Sequence, residues 1–191
     1  MMENTVMKRM FRHLRPFARN DEGTVLVEAV LVIPALFWAM LALFVYWDTY
    51  RSINTVQKAS YTISDTISRE KVDIDSTDLT GLRNLMNYLL DSDQATKLRV
   101  TSLQYNSVEE KYEVLWSCSP NSALPKQTDA TLALVSNRLP VMPVGDTVVL
   151  VETEVGYSPP FEVGISPLAI KQFIVTRPRR APSIILTSCA A

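Results

Sequence analysis

The sequence predicts an α+β protein in which a long N-terminal helix precedes a small domain built on an antiparallel sheet. Three observations predict this class: an apolar run of twenty-four residues, apolar residues at helical spacing beyond it, and several strand-like segments without regular helical crossovers. The chain has 191 residues, of which 47% are hydrophobic and 20% charged, and this fits one compact domain plus an accessory segment.

The first element is a basic leader, residues 1–23. Residues 1–22 carry five Lys or Arg against three Asp or Glu, a net charge of +2, so the rest of the chain carries −3. Such a slightly acidic bulk offers no basic face for phosphates, which argues against nucleic acid as a partner.

The second element, residues 24–47, reads TVLVEAVLVIPALFWAMLALFVYW and contains one charged residue. As a helix it extends about 36 Å, enough to cross a hydrocarbon core of about 30 Å. A buried core helix is the alternative, but core helices rarely stay apolar on every face at this length. A cleaved secretory signal is disfavoured because bulky residues, Phe44 to Trp47, stand where a small-residue cleavage site is needed. The run therefore predicts a transmembrane helix.

The charge flanking the span predicts its orientation. Lys and Arg close to a span keep that flank in the cytoplasm, and here they precede it. We therefore expect a cytoplasmic leader, a single pass, and an extracytoplasmic α+β domain formed by residues 48–191.

A glutamate near the start of the span requires a reason, because a charged side chain in the bilayer is costly. One interpretation is that Glu28 snorkels to the headgroups or is protonated. The other uses its neighbours: Gly23 ends the polar leader and Thr24 begins the apolar run, a prepilin-like processing pattern with Glu28 fifth after the glycine. Cleavage after Gly23 creates an α-amine on Thr24, which the glutamate of a neighbouring subunit can pair with.

One face of the predicted span is narrow. The residues at the 3-to-4 residue spacing of this face are Glu28, Val32, Ala35, Ala39, Ala42 and Tyr46, and the alanines make it narrow. Small residues let transmembrane helices approach closely. The sequence predicts that this face packs against a neighbouring helix, with Glu28 pointing into the contact. The alternative is that alanine is simply common in spans.

The basic leader followed by DEGTVLVEAVLVIPALF and a Trp/Tyr-ended span resembles the opening of TadE-like pseudopilins of the tight-adherence (Flp) pilus system. The resemblance covers about the first fifty residues, including Gly23, Glu28 and Pro34, with a weaker echo in TVVLVETEVGYSPPF and TRPRR. It implies a protein of the bacterial inner membrane with a periplasmic domain, matured by a prepilin peptidase. It also implies that the partners are other pilins or pseudopilins and Tad assembly proteins. The chain is longer than the major Flp pilin and shorter than TadG-like relatives, so a minor pseudopilin fits it best.

Beyond the span, apolar residues at helical spacing predict that the helix continues outward as a stalk. These residues are Ile53, Val56, Ile63 and Ile67. Spaced leucines predict a second helix between Leu79 and Leu90, and a third helix is predicted over residues 129–139.

Strand patterns fill most of the remaining chain. LRVTSLQYN and KYEVLWSCS flank NSVEE and predict a hairpin in which Tyr112, Val114 and Trp116 line one side. TVVLVETEV, KQFIVTR and SIILTSC predict further strands, separated by turns that contain prolines. This pattern favours an antiparallel sheet packed on the stalk helix.

The two cysteines, Cys118 and Cys189, allow a disulfide in an oxidising compartment, where it would hold the C-terminal strand. Two separate buried thiols are the alternative, because the sequence does not show the distance between them. The arginines around Pro178 suit anionic headgroups, a partner or a solvated turn.

The sequence nominates no catalytic residues, no metal ligands and no cofactor. The one histidine, His13, lies in the leader, and two cysteines without a neighbouring histidine are too few for structural zinc. We therefore expect a protein that is not an enzyme. Three functions remain in order of preference: a processed minor pseudopilin, a non-processed single-pass scaffold of a cell-envelope secretion or pilus complex, and a membrane-tethered hydrolase.

Overall fold

The computed structural model describes residues 22–71, 73–90 and 95–189. Its helices are α1 (Glu22–Ser68), α2 (Ser76–Leu90) and α3 (Asp129–Ala133). Its strands are β1 (Thr96–Asn106), β2 (Lys111–Cys118), β3 (Thr147–Tyr157) and β4 (Leu168–Thr176).

The chain divides into two compact units. The first contains the described residues up to Tyr46 together with residues 161–165, and the second contains Trp47–Pro160 and the residues from Ser166 onward. We call the second unit the sheet domain. The predicted α+β class is confirmed: a long apolar N-terminal helix is followed by a four-stranded antiparallel sheet with the strand order β2-β1-β3-β4.

One face of the sheet packs on the outer part of α1, as predicted. Of the apolar residues predicted at 3-to-4 residue spacing along the stalk, Val56, Ile63 and Ile67 are buried and Ile53 is partly buried, because that spacing places them on one side of the helix. They join residues from β1, β3 and α2 in a single core: Val56, Ala59, Ile63, Ile67, Leu79, Met86, Leu98, Val100, Val149, Val151 and Val155.

The predicted hairpin forms, but its side-chain pattern differs from the prediction. Strand β2 pairs Trp116 with Ser102 and then Val114 with Leu103, so Leu115 is an extra residue that forms a bulge. An extra residue exchanges the faces of all the residues beyond it, because side chains alternate along a strand. Tyr112 and Val114 therefore lie on one face, while Trp116 packs in the core against α1 on the other.

The opposite face of the sheet carries a smaller apolar cluster, covered in part by α3. Its buried members are Leu103, Leu132, Leu139, Met142, Val148 and Leu150. The helix predicted over residues 129–139 is wrong in its second half: α3 ends at Ala133, and a 3₁₀ turn follows at Ser136–Arg138. The Ser136 hydroxyl donates to the Ala133 carbonyl at 2.9 Å, which replaces a helical backbone contact at this end.

The C-terminal segment SIILTSC, predicted as a strand, forms only an isolated parallel bridge between Ile74 and Leu186. Ile74 donates its N–H to the Ile185 carbonyl, and Thr187 donates to the Ile74 carbonyl, both at 3.0 Å. The ladder stops there because its partner is the short connection before α2, which begins two residues later, rather than a strand.

Candidate membrane helix and processing junction

The first unit presents a continuous apolar surface on α1. Apart from the buried Val45, the large side chains along residues 25–46 stay exposed, for example Leu26 at 69%, Trp38 at 62% and Leu43 at 71%. Over the most apolar 18 residues of α1, the mean hydropathy is 2.4 and 6% of the residues are buried. A core helix of a soluble domain would hide such a surface, so the exposure favours a lipid-facing helix over the core-helix alternative. Within the described residues, α1 is the one helix long and apolar enough to span a membrane.

The predicted processing residues lie at the start of this helix. Gly23 and Thr24 belong to the first turn of α1, and Glu28 follows one turn later with its side chain exposed. Among the described residues, a Cβ added at Gly23 would meet nothing within 4 Å, so packing against them does not require the glycine. Residues 1–21 of the leader, including His13, lie outside the described residues.

The narrow face of the span is open in the single chain. Ala35 and Ala39 are exposed on the same helix as Glu28, whereas Ala42 is half-buried. The helix continues through Pro34, which lies inside α1. This surface remains accessible to a second helix, and its predicted role in helix packing stays a prediction.

A polar cluster in the sheet domain follows directly after the apolar run. Thr49 donates to the Tyr157 hydroxyl at 3.1 Å, and that hydroxyl donates to the Asp48 carboxylate at 2.8 Å. Burial raises the pKa of the Tyr157 phenol; the Thr49 hydrogen bond opposes this rise and Asp48 adds to it. The cluster ties the end of β3 to the first helical turn after the span. Sequence reasoning missed it, although a tyrosine at a strand end and an Asp-Thr pair after an apolar run are both visible.

A second polar contact fixes the stalk part of α1 on the sheet. The hydroxyls of Ser60 and Thr153 lie 2.8 Å apart, both buried, and Ser60 also donates to the Val56 carbonyl. A buried hydroxyl pair satisfies both partners and fixes the register between the helix and β3. The sequence signal for this contact was Ser60, which lies on the same face of the helix as the buried apolar residues.

Charged side chains line the other face of the central strands. Arg99 on β1 pairs with Glu152 on β3 at 2.7 Å, and Glu154 accepts from Lys97 at 2.6 Å and contacts Lys171 at 3.3 Å. The Lys97 hydrogen bond holds the pKa of Glu154 below its usual value, although partial burial opposes this shift. Cross-strand charge pairs of this kind stabilise a sheet, and here they leave each of the carboxylates engaged.

Cys118 and Cys189 form a disulfide that closes a separation of 71 residues. Cys118 lies in the core at the end of β2, and the indole Nε1 of nearby Trp116 donates to the Ile184 carbonyl at 2.8 Å. The covalent bond and these hydrogen bonds together hold the C-terminal segment on the sheet domain.

Several charged groups of the sheet domain are engaged in contacts within the domain. Among the described residues, no group of three His, Cys, Asp or Glu side chains is placed to hold a metal ion. The carboxylate of Asp129, beside β2, accepts the Val114 backbone N–H at 2.7 Å and so has a structural role. Arg177 pairs with Asp146 at 2.5 Å and Arg179 lies 3.3 Å from Asp65, so these two arginines of the basic cluster are paired within the domain.

Comparisons with protein-family models, with curated proteins and with solved structures find no significant match to this chain.

Proposed function

We propose that this chain is a TadE-like minor pseudopilin of a tight-adherence (Flp-type, type IV-like) pilus, processed after Gly23 by a prepilin peptidase. The observation that carries the proposal is the sequence junction of a basic leader, Gly23, Thr24 and Glu28 at the start of an exposed apolar helix. That helix runs 47 residues and continues into a small sheet domain.

The chemistry of the junction gives the spacing a purpose. Cleavage of the peptide bond after Gly23 leaves a protonated α-amine on Thr24, with an ordinary pKa near 8. In the helix Glu28 lies four residues further along, on the same side, with its side chain exposed. When two such helices pack, the carboxylate of one subunit meets the amine of the next, and two charges that are each costly in lipid become paired.

The proposed location is the bacterial inner membrane, with the leader in the cytoplasm and the sheet domain in the periplasm. The basic residues before the span support this orientation. The Cys118–Cys189 disulfide supports it independently, because such bonds persist in the periplasm and are rare in the cytosol. The expected partners are the peptidase, other pilins or pseudopilins, and Tad assembly proteins.

A non-processed membrane-anchored scaffold of an envelope complex is the second candidate. It is favoured by the placement of Gly23 inside α1, where the peptide bond is not extended for a protease, and by a span that suffices as an anchor.

The variant Gly23→Val, expressed with the matching peptidase, tests the choice between them. We expect it to remain full-length in the membrane and to abolish piliation, because the branched side chain of valine clashes in a protease groove that admits the bare backbone of glycine. Gly81→Val is the matched control, since Gly81 is also helical and also has open space around an added Cβ. Normal maturation and normal pili in Gly23→Val would exclude the pseudopilin function.

A further inference from the structure

Within the first unit, a short segment of the β3–β4 connection packs against the apolar helix. Residues 161–165 belong to this unit together with the helix up to Tyr46. The ring of Phe161 meets the ring of Phe44 edge-on, with 6.5 Å between centroids and an interplanar angle of 62°. This is a favourable aromatic geometry, and it fixes the segment to the C-terminal part of the apolar run.

The backbone of this segment is compact. Val163 donates its N–H to the Phe161 carbonyl at 3.1 Å, which closes a three-residue turn. Gly164, directly after this turn, has φ +100°, a conformation that other residues rarely adopt, so the backbone requires glycine at this point. Prolines flank the segment at positions 159, 160 and 167, and they lower both the number of N–H donors and the entropy lost on ordering.

The side chains of the segment are mostly apolar. Phe161 remains 46% exposed even against Phe44, and Val163 and Ile165 are partly exposed. Glu162 is its one charged residue, and it is exposed. An aromatic ring held against an apolar helix with half of its surface uncovered fits the boundary between lipid and water.

We propose that residues 161–165 form a second membrane contact, in which Phe161 enters the lipid interface beside Phe44. The depth follows from the helix: Phe44 lies three residues before Trp47, about 4.5 Å inside the C-terminal end of the apolar run. Irregular backbone exposed to lipid is excluded from the hydrocarbon core, so the segment occupies the headgroup region, where water still satisfies its polar groups. Tyr46, exposed at the same end of the run, is a second aromatic side chain suited to this interface.

This contact rests on the spanning helix of the proposed function but not on processing. It commits to lipid as the occupant of the exposed face of Phe161. A second copy of the chain is the competing occupant, and the test separates the two.

The test is photo-crosslinking of the full chain in lipid nanodiscs, with p-benzoylphenylalanine in place of Phe161. Substitution at Trp38, in the middle of the apolar run, is the lipid-facing reference, and substitution at Val108, 90% exposed in the β1–β2 turn, is the aqueous reference. Retention of the Cys118–Cys189 disulfide in each variant, read from mobility on non-reducing gels, reports that the sheet domain has folded.

We expect mass spectrometry to find lipid adducts at position 161 at least tenfold above those at 108 and within a few fold of those at 38. If position 38 gives lipid adducts but position 161 gives only the level found at position 108, the membrane contact is refuted and the spanning helix is retained. Protein dimers in place of lipid adducts at 161 would assign the surface to a second copy. Absence of lipid adducts at both 161 and 38 would remove the spanning helix and this contact together.

Discussion

Reduction of the Cys118–Cys189 bond is expected to lower the free energy of unfolding of the sheet domain by about 4 kcal/mol. The bond closes a separation of 71 residues, and the chain-entropy relation for a loop of that length gives about 4.4 kcal/mol at 25 °C. With a urea m-value of about 2 kcal/mol/M, the unfolding midpoint should fall by about 2 M. The assay is urea unfolding in detergent, followed by the fluorescence of Trp116, which is partly buried in the core of this domain.

Comparing oxidised with reduced wild-type protein isolates the cross-link, because both thiols remain in place. A double variant, Cys118→Ala with Cys189→Ala, should lose somewhat more, since Cys118 is fully buried and its truncation also leaves a cavity. A midpoint unchanged by reduction would contradict the reasoning. It would mean that the hydrogen bonds of Ile74 and Trp116 alone hold the C-terminal segment, or that the reduced unfolded chain is already compact.

Three further perturbations test other contacts in the sheet domain, each by the same unfolding assay. Deleting Leu115 removes the extra residue but leaves Trp116 opposite Ser102 and Val114 opposite Leu103, both on their native faces, so stability should change by less than about 1 kcal/mol. Deleting Ser117 instead brings Trp116 opposite Thr101 and off the core face, at a cost of about 3 kcal/mol. Equal effects of the two changes would contradict the bulge. Tyr157→Phe should cost about 1.5 kcal/mol, because it removes a buried hydroxyl bonded to a carboxylate, and a neutral result would show that the cluster adds no net stability. Glu154→Gln should cost less than about 1 kcal/mol at pH 7, given the partial exposure of its ion pairs. Because folding lowers the pKa of Glu154, the stability contributed by its ion pairs is present above the unfolded pKa and is lost as the pH falls through the folded pKa. A stability difference between wild type and Glu154→Gln that grows on acidification would refute this assignment.

The long helix and the sheet were predictable because their signals are repeated over many residues. The apolar run predicts a helix at every turn of the first part of α1, and the 3-to-4 residue spacing predicts one at every turn of the stalk part. The buried positions Val56, Ile63 and Ile67 follow from that spacing. The antiparallel sheet followed in the same way from strand-like segments that lack helical crossovers.

The bulge at Leu115 was not predictable, because an apolar residue in an apolar strand leaves the alternating pattern intact. Tertiary contacts decide on which face of the sheet Trp116 lies. Its indole N–H donates to the Ile184 carbonyl, and Cys118 must face the core to bond Cys189. The C-terminal segment illustrates the same limit, since strand propensity does not say whether a partner strand is present.

Only part of the candidate site could be predicted from the sequence. The exposed apolar helix was predictable from composition, as was the order of Gly23, Thr24 and Glu28 along the chain. The contact of Phe161 with Phe44 was not, because it joins residues 117 positions apart through a loop whose path only the structure gives. Processing is the cleavage of this junction by a second protein, so it must be measured directly.

That measurement is the N-terminal sequence and intact mass of the protein purified from its native membrane with the matching peptidase present. We expect a mature chain that begins at Thr24, with the leader absent and Glu28 at its fifth position. A membrane protein that retains Met1 through Gly23 would contradict it, and would leave α1 as a fixed anchor in which Glu28 serves only helix packing or snorkelling.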